Sequence, residues 1–168
     1  MKKQQQQITQ KKSWDDEIWQ SNFLYLCKEE LSSRGIDVLS GFLEKRIMPW
    51  SFVGEVTTSN GSFFCKSVSD AAYFEPELTF LLNQISDNIV DVVSFSASDG
   101  WIITKGETQI GEPAQLLLVD ILKDYAKLQI LTINYKSELM KTGIPTATAL
   151  KKVVKRLQNM EKYSIIYT

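Results

Sequence analysis

The stretch NGSFFCKSVSDAAYFEPELTFLL, residues 60–82, decides the fold of this 168-residue chain. Its first two residues, Asn-Gly, readily take the positive φ angles of a tight hairpin turn, and a short apolar strand follows. On a period of two, Lys66 shares one face of that strand with Ser62 and Phe64, while the alternate residues share the other face. We therefore expect this lysine to project from a strand and not from a loop tip.

The same stretch continues into an amphipathic helix. Pro76 is compatible only with the first turn of a helix, so we expect the helix to begin near Glu75. Two glutamates, Glu75 and Glu77, open it. A strand lysine close to such a carboxylate is either an ordinary surface ion pair or a lysine held in place to bind phosphate. The apolar stripe of the helix consists of Phe74, Leu78, Leu81, Leu82 and Ile85.

Further strands are predicted on both sides of this unit. Residues 38–48 and 51–59 form two strands joined by a Pro-Trp turn, and residues 89–106 form a hairpin that turns at 98–100. The resulting order is three strands, one helix and two strands. It predicts an α+β fold in which one helix crosses a small five-stranded antiparallel sheet.

A helix is predicted before the sheet. Ser13 can cap it, acidic residues follow in its first turn, and Arg34-Gly35 ends it. Residues 1–13 are basic and rich in glutamine, and we expect them to form a disordered tail. The residues expected on the buried side of this helix are Ile18, Phe23, Tyr25 and either Leu26 or Cys27.

An antiparallel helical hairpin is predicted after the sheet. The residues TGIP at 142–145 end its first helix, and its second helix begins at about Thr146. The chain thus divides into the tail 1–13, a sheet-containing lobe 14–110 and a helical extension 111–168. The apolar positions expected to be buried are Leu118, Ile121, Tyr125, Leu128, Tyr135 and Leu139 on the first helix and Leu150, Val153, Val154 and Leu157 on the second.

Composition excludes several classes of function. The sequence has no histidine, which excludes Ser-His-Asp or Cys-His catalysis and histidine-ligated zinc within these residues. No stretch approaches the roughly 20 apolar residues of a membrane span, and no signal peptide is recognisable, so we expect a cytoplasmic protein without a membrane partner. Cys27 and Cys65 are expected to be free core thiols. The basic residues within 151–156 are expected to be a solvated helix face, without a nucleic-acid partner.

The order of these elements resembles the N-terminal lobe of the aminoglycoside phosphotransferase family, which has a protein-kinase-like fold. The resemblance extends from about residue 43 to residue 150. It rests on the strand lysine, the glutamate that opens the helix, and the order and spacing of short segments. These segments are RIMPWSFVGEV, NGSFFCKSV, YFEPELTFLL, GWIITKGETQI, LKDYAKLQ and LMKTGIP.

The resemblance implies an ATP-binding role for particular residues. Lys66 would contact the α- and β-phosphates, and Glu75 would pair with it, although Glu77 stays open as the partner. Trp50 and Ser51 match the turn that covers the phosphates in this family.

The resemblance also implies an adenine site on the strand that enters the hinge. Ile102, Ile103 and Thr104 match this strand, where the adenine would lie against apolar side chains. The sequence departs from the family pattern nearby, because Lys105 and Glu107 stand where an acidic residue and a glycine are usual. It also has no G-x-G-x-x-G loop, so the protein-kinase form of the phosphate loop is not expected.

The catalytic part of the family pattern is not found in these 168 residues. In this family the H-G-D-x-x-x-x-N loop and the metal-binding aspartate belong to a C-terminal lobe. We therefore expect a nucleotide-binding N-lobe that is inactive alone, with Mg²⁺ bound only if another polypeptide supplies that lobe. The alternative is a non-catalytic interaction or regulatory module, for which a homodimer through the helical hairpin is one form. Whether the chain is an enzyme stays open, and the phosphate acceptor is not specified.

Overall fold

The structure, a computed structural model, describes residues 14–106 and 115–145. Within these ranges five strands form one antiparallel sheet, with one helix before it, one between its third and fourth strands, and two after it. The expected α+β fold class is thereby confirmed. The strands are β1 Lys45–Met48, β2 Ser51–Thr58, β3 Gly61–Val68, β4 Val92–Ser96 and β5 Trp101–Lys105, and the helices are α1 Glu17–Ser32, α2 Glu75–Ile85, α3 Gln115–Thr132 and α4 Lys136–Lys141.

The strand order is β1-β2-β3-β5-β4, so β3 lies at the centre of the sheet between β2 and β5. The predicted tail 1–13 and the second helix expected from Thr146 lie outside the described residues. We call the side of the sheet covered by α1 the outer face and the opposite side, which carries Lys66, the inner face.

The outer face holds the main core of the described residues. Phe52 on β2 is fully buried and meets the aromatic rings of α1 edge-on, with ring centroids 5.4 Å from Trp19 and 5.9 Å from Phe23. Burying one such side chain contributes about 1.5–3 kcal/mol, so this layer supplies most of the stability of the sheet. The other buried sheet residues in this core are Val56, Phe63, Cys65, Trp101 and Ile103.

Helix α1 begins later than the sequence predicts, and its buried side includes Phe23 and Cys27 of the predicted residues but not Ile18 or Tyr25. The carboxylate of Asp16 caps it by accepting from the amide of Ile18 at 2.8 Å. Ile18 and Tyr25 were predicted to be buried but are 73% and 65% exposed. At about 100° per residue these two lie almost opposite Phe23 and Cys27 on the helix, so only one pair can face the sheet. The buried residues of α1 are Gln20, Phe23, Cys27 and Leu31.

The first strand is shorter than the predicted 38–48. Only Lys45–Met48 pairs regularly with β2, and residues 38–44 follow β2 irregularly, with the amide of Leu43 donating to Glu55 at 2.8 Å. The ring of Phe42 covers Gly54, where a Cβ would lie 2.5 Å from Phe42 Cδ1. The approach of this ring explains both the glycine in β2 and the irregular backbone beside it.

The β2–β3 turn differs by one residue from the prediction. Thr58 pairs with Gly61, so the two turn residues are Ser59 and Asn60, and only Gly61 has a positive φ, of 104°. The hydroxyl of Thr58 closes the turn by donating to the carbonyl of Gly61 at 2.8 Å. The position of Gly61 just after the turn explains why glycine is needed there and why Asn60 keeps an ordinary conformation.

Helix α2 crosses the inner face and begins at Glu75, as predicted. Pro76 lies in its first turn, and Phe80 stacks on Phe95 of β4 with ring centroids 4.7 Å apart. Its predicted apolar stripe is half-buried. The inner face is therefore only partly covered.

The helical extension is more exposed than predicted. A 3₁₀ turn at Ile133–Tyr135 interrupts the single helix expected here, and α4 ends at Lys141, two residues before Gly143, which has a φ of 80°. The stop predicted at 142–145 is confirmed. The predicted burial of the stripe is wrong for Ile121, Tyr125 and Tyr135, which are 53%, 58% and 40% exposed. The main described neighbour of α3 is the 3₁₀ turn that follows it, so little of the described chain covers the side chains of this helix. Among the helices described, none is long and apolar enough to cross a bilayer.

Candidate functional site

Lys66 lies on the inner face at the centre of the sheet. Its strand pairs with β2 and β5, so the backbone of Lys66 lies between Val53 and Ile102. Its side chain is 28% exposed. A long cationic side chain is thus rooted in a rigid position while its ammonium group reaches solvent.

The ammonium of Lys66 donates to the carboxylate of Glu75 and forms an ion pair with it. Glu75 is the first residue of α2, and a 3₁₀ turn at Asp70–Ala72 leads the chain from β3 into this helix. Glu77 is exposed. The predicted ion pair is present, and of the two glutamates that the sequence left open its partner is Glu75.

The ion pair is only partly buried, with the Glu75 side chain 32% exposed. Pairs of this kind contribute about 0–1 kcal/mol to the free energy of unfolding. The gain in stability is therefore a weak explanation for the presence of this ion pair. An ammonium carries three donor hydrogens, and within the described residues Glu75 is the only hydrogen-bond partner of Lys66. Two donor positions of Lys66 therefore remain for a ligand.

The predicted phosphate-covering turn offers less than the resemblance implies. Trp50 is exposed, but its carbonyl accepts from the amide of Ser69 at 2.8 Å. Ser51 is the first residue of β2, pairs with Val68, and is only 4% exposed. Pro49 has no amide hydrogen to donate. The hydroxyl of Ser51 is thus poorly presented to a ligand, and the turn presents mainly the Trp50 side chain.

The three residues predicted on β5 are divided between the two faces of the sheet. Thr104 pairs with Phe64 and shares the inner face with Lys66. Ile103 pairs with Cys65 on the outer face and is fully buried against α1. Successive residues of a strand alternate between faces, so the side chain of Ile103 cannot contact a ligand bound at Lys66. Ile102, which was also predicted, pairs with Lys66 and lies on the inner face.

Two inner-face residues were missed by the sequence interpretation. Arg46 on β1 pairs with Val53 on β2, and Val53 pairs with Lys66, so the three form a row across the sheet. Alternation along β1 could have assigned Arg46 to one face of the strand. That Arg46 lies opposite Val53 depends on the register between β1 and β2, which the turn geometry sets. The inner face thus carries two cationic side chains flanking an apolar one.

The two cysteines are unsuited to nucleophilic chemistry. Cys27 and Cys65 are free, fully buried and on the outer face, as core thiols should be. Burial, reinforced by the hydrogen bond with Cys65, raises the pKa of the Cys27 thiol well above its usual range. A thiol that stays protonated is a poor nucleophile and a poor metal ligand.

A resident metal site is not evident in the part of the chain that the structure describes. No three acidic or thiol side chains there come together in a group that could hold a metal ion. No family model, curated protein or solved structure matches the chain.

Proposed function

We propose that the inner face binds the phosphates of a nucleotide such as ATP, in the manner of the N-lobe of a phosphotransferase. The observation that carries this proposal is the ion pair between Lys66 on the central strand and Glu75 at the start of α2. It supports the proposal because the carboxylate holds the ammonium at one position above the sheet and leaves two of its donors unused.

The surroundings of Lys66 fit a ligand with an apolar ring and a negative tail. Val53 and Phe64 present half-exposed apolar surface on the inner face, and Phe64 is 36% exposed. Thr104 lies across the strand pair from Phe64. A base could lie on this apolar surface while its phosphates meet the ammonium group of Lys66. The buried Ser51 argues against a hydroxyl contact from the turn.

We further propose that these residues do not catalyse phosphoryl transfer alone. Phosphoryl transfer needs a positioned base and metal-binding carboxylates, and losing both removes several orders of magnitude of rate. The sequence has no histidine for an H-G-D loop. The proposal requires a C-terminal lobe that supplies the base and the Mg²⁺ ligands, either in a longer form of this chain or in a second polypeptide. A cytoplasmic location is part of the proposal and is supported by two unpaired thiols.

Calorimetric titration with Mg-ATP tests the nucleotide proposal. We expect weak binding by the wild type and a loss of roughly 10- to 100-fold in Lys66→Met, as for a hydrogen bond to a charged group. Lys105→Met is the matched control, since Lys105 is an exposed lysine on β5 that faces away from Lys66. Glu75→Gln should weaken binding more than Glu77→Gln, because only Glu75 holds the ammonium.

Two outcomes would contradict the nucleotide proposal. One is the absence of heat in the wild type at millimolar Mg-ATP. The other is equal affinity in Lys66→Met and Lys105→Met, because binding would then reflect the overall charge of the chain.

A second function, that of an interaction module, is favoured by the exposed apolar side chains of the helical extension. A surface of this kind commonly marks a protein interface, and the occupant proposed is a second copy of the chain. Sedimentation should then give a dimer that Leu122→Glu dissociates. Lys127→Gln makes the same change in charge on the far side of α3 and should leave the dimer intact, and a wild-type monomer would contradict this function. The exposed residues are Val119, Ile121, Leu122, Tyr125, Ile130, Leu131, Ile133, Tyr135 and Met140.

A further inference from the structure

A second cation projects from the inner face in register with Lys66. Arg46 pairs with Val53, and Val53 pairs with Lys66. Directly paired residues of an antiparallel sheet project from the same face. Neighbouring strands lie about 4.8 Å apart, so the backbones at Arg46 and Lys66 are about 10 Å apart. Only the half-buried valine lies between them.

The guanidinium of Arg46 has no task in the described fold. It is exposed, and no hydrogen bond or ion pair joins it to another residue within the described ranges. Glu55, on the same face, already accepts a hydrogen bond from Ser62. The arginine is therefore available to a ligand.

The adjacent residue gives a contrast within the same strand. Lys45 projects from the outer face, where its ammonium donates to Gln20 Oε1 at 2.7 Å. Gln20 in turn donates to the carbonyl of Trp14 at 2.7 Å. Lys45 thus connects β1 to α1, whereas Arg46 faces the candidate site and has no partner among the described residues.

We propose that Arg46 is a second phosphate-binding residue, and that the inner face selects ligands with a chain of phosphates over ligands with a single phosphate. This inference rests on the proposed function, because Lys66 holds the other end of the chain. Two long cationic side chains rooted about 10 Å apart can meet one polyphosphate from both sides, whereas orthophosphate engages one of them at a time. The guanidinium also offers two parallel donors that match the oxygens of a phosphate.

Inorganic tripolyphosphate is the probe for this inference, because it has no base. Its affinity is measured by calorimetry for the wild type, Arg46→Gln and Lys66→Met, with Lys45→Gln as the matched control for charge. Orthophosphate binding is followed by phosphorus NMR line broadening in the same four proteins. We expect Arg46→Gln to weaken tripolyphosphate binding about tenfold or more, to change orthophosphate binding less than about twofold, and Lys45→Gln to change both less than about twofold.

The outcomes separate this inference from the nucleotide proposal. If Arg46→Gln and Lys45→Gln bind tripolyphosphate alike while Lys66→Met loses it, the role of Arg46 is wrong and the Lys66 site stands. If Arg46→Gln loses binding and Lys66→Met keeps it, Arg46 binds phosphate and the Lys66 proposal is wrong. If the wild type binds no tripolyphosphate, the inference is overturned. Arg46→Lys should bind tripolyphosphate more tightly than Arg46→Gln but less tightly than the wild type, because lysine keeps the positive charge but lacks the two parallel donors of the guanidinium.

Discussion

The two faces of the central sheet differ in what their side chains do. The outer face packs aromatic and aliphatic residues against α1, and its core residues Phe52, Val56 and Ile103 are fully buried. The inner face is partly covered by α2 and carries Lys66 and Arg46. Alternation along each strand delivers one set of residues to each face. Stability and ligand binding are therefore separable, since a substitution can affect one face without the other.

The largest expected difference between the faces concerns two phenylalanines. Phe52→Ala should lower the free energy of unfolding by about 3–5 kcal/mol, because it leaves a cavity in the core. Phe64 on the inner face is 36% exposed, so Phe64→Ala should cost much less. Chemical denaturation of both variants checks this. Similar losses would mean that the inner face is also a closed core.

Packing on the outer face should also be sensitive to one added methyl group. Gly54→Ala would place a Cβ against the ring of Phe42, whereas nothing lies within 4 Å of a Cβ at Gly41. We expect Gly54→Ala to cost about 1–3 kcal/mol, as overpacking does, and Gly41→Ala to leave the denaturation midpoint nearly unchanged. A neutral Gly54→Ala would show that Phe42 does not pack there in solution.

The buried thiol should make stability depend on pH. Burial raises the pKa of Cys27 in the folded chain, so above the ordinary thiol pKa of about 8.5 only the unfolded chain ionises. The unfolded state then binds fewer protons, and the free energy of unfolding falls as pH rises, by up to about 1.4 kcal/mol per pH unit. Unfolding measured from pH 7 to pH 10 should show a smaller loss in Cys27→Ala. Parallel curves would contradict burial of this thiol.

The smallest effect on stability is expected on the inner face. Lys66→Met removes a partly exposed ion pair, and its cost should be below about 1 kcal/mol. The same variant is expected to lose phosphate binding. Chemical denaturation checks this expectation when the midpoint of Lys66→Met is compared with that of Lys105→Met. A loss of several kcal/mol would identify the pair as a structural element and weaken the case for a ligand site.

Much of the fold could be predicted because it depends on short-range patterns. The alternation around Lys66 and the position of Pro76 located β3 and the start of α2, and α4 ends just before Gly143, where the sequence signal indicated. These features follow from the geometry of single elements. For α1 the sequence interpretation named Ile18 and Tyr25 together with Phe23 and Cys27, and which of these two pairs is buried depends on how the helix packs on the sheet.

The candidate site was predicted only in part for a related reason. Lys66 and a glutamate of α2 could be proposed from spacing, but the choice of Glu75 over Glu77 depends on how the helix packs. Ile103 was assigned to the site although its side chain faces α1, and Arg46 was missed although it faces the site. Register between strands relates residues distant in sequence, and period-two patterns within one strand do not specify it.

The sequence by itself determined the order of the elements, the strand position of Lys66 and the absence of histidine chemistry. Each of these depends on residue type or on neighbours a few positions away. Only the tertiary structure decided that α1 closes one face, that Glu75 holds Lys66, and that Arg46 lies in register with it across Val53. These contacts join separate elements, and they depend on strand register and helix packing, which form when the whole lobe folds.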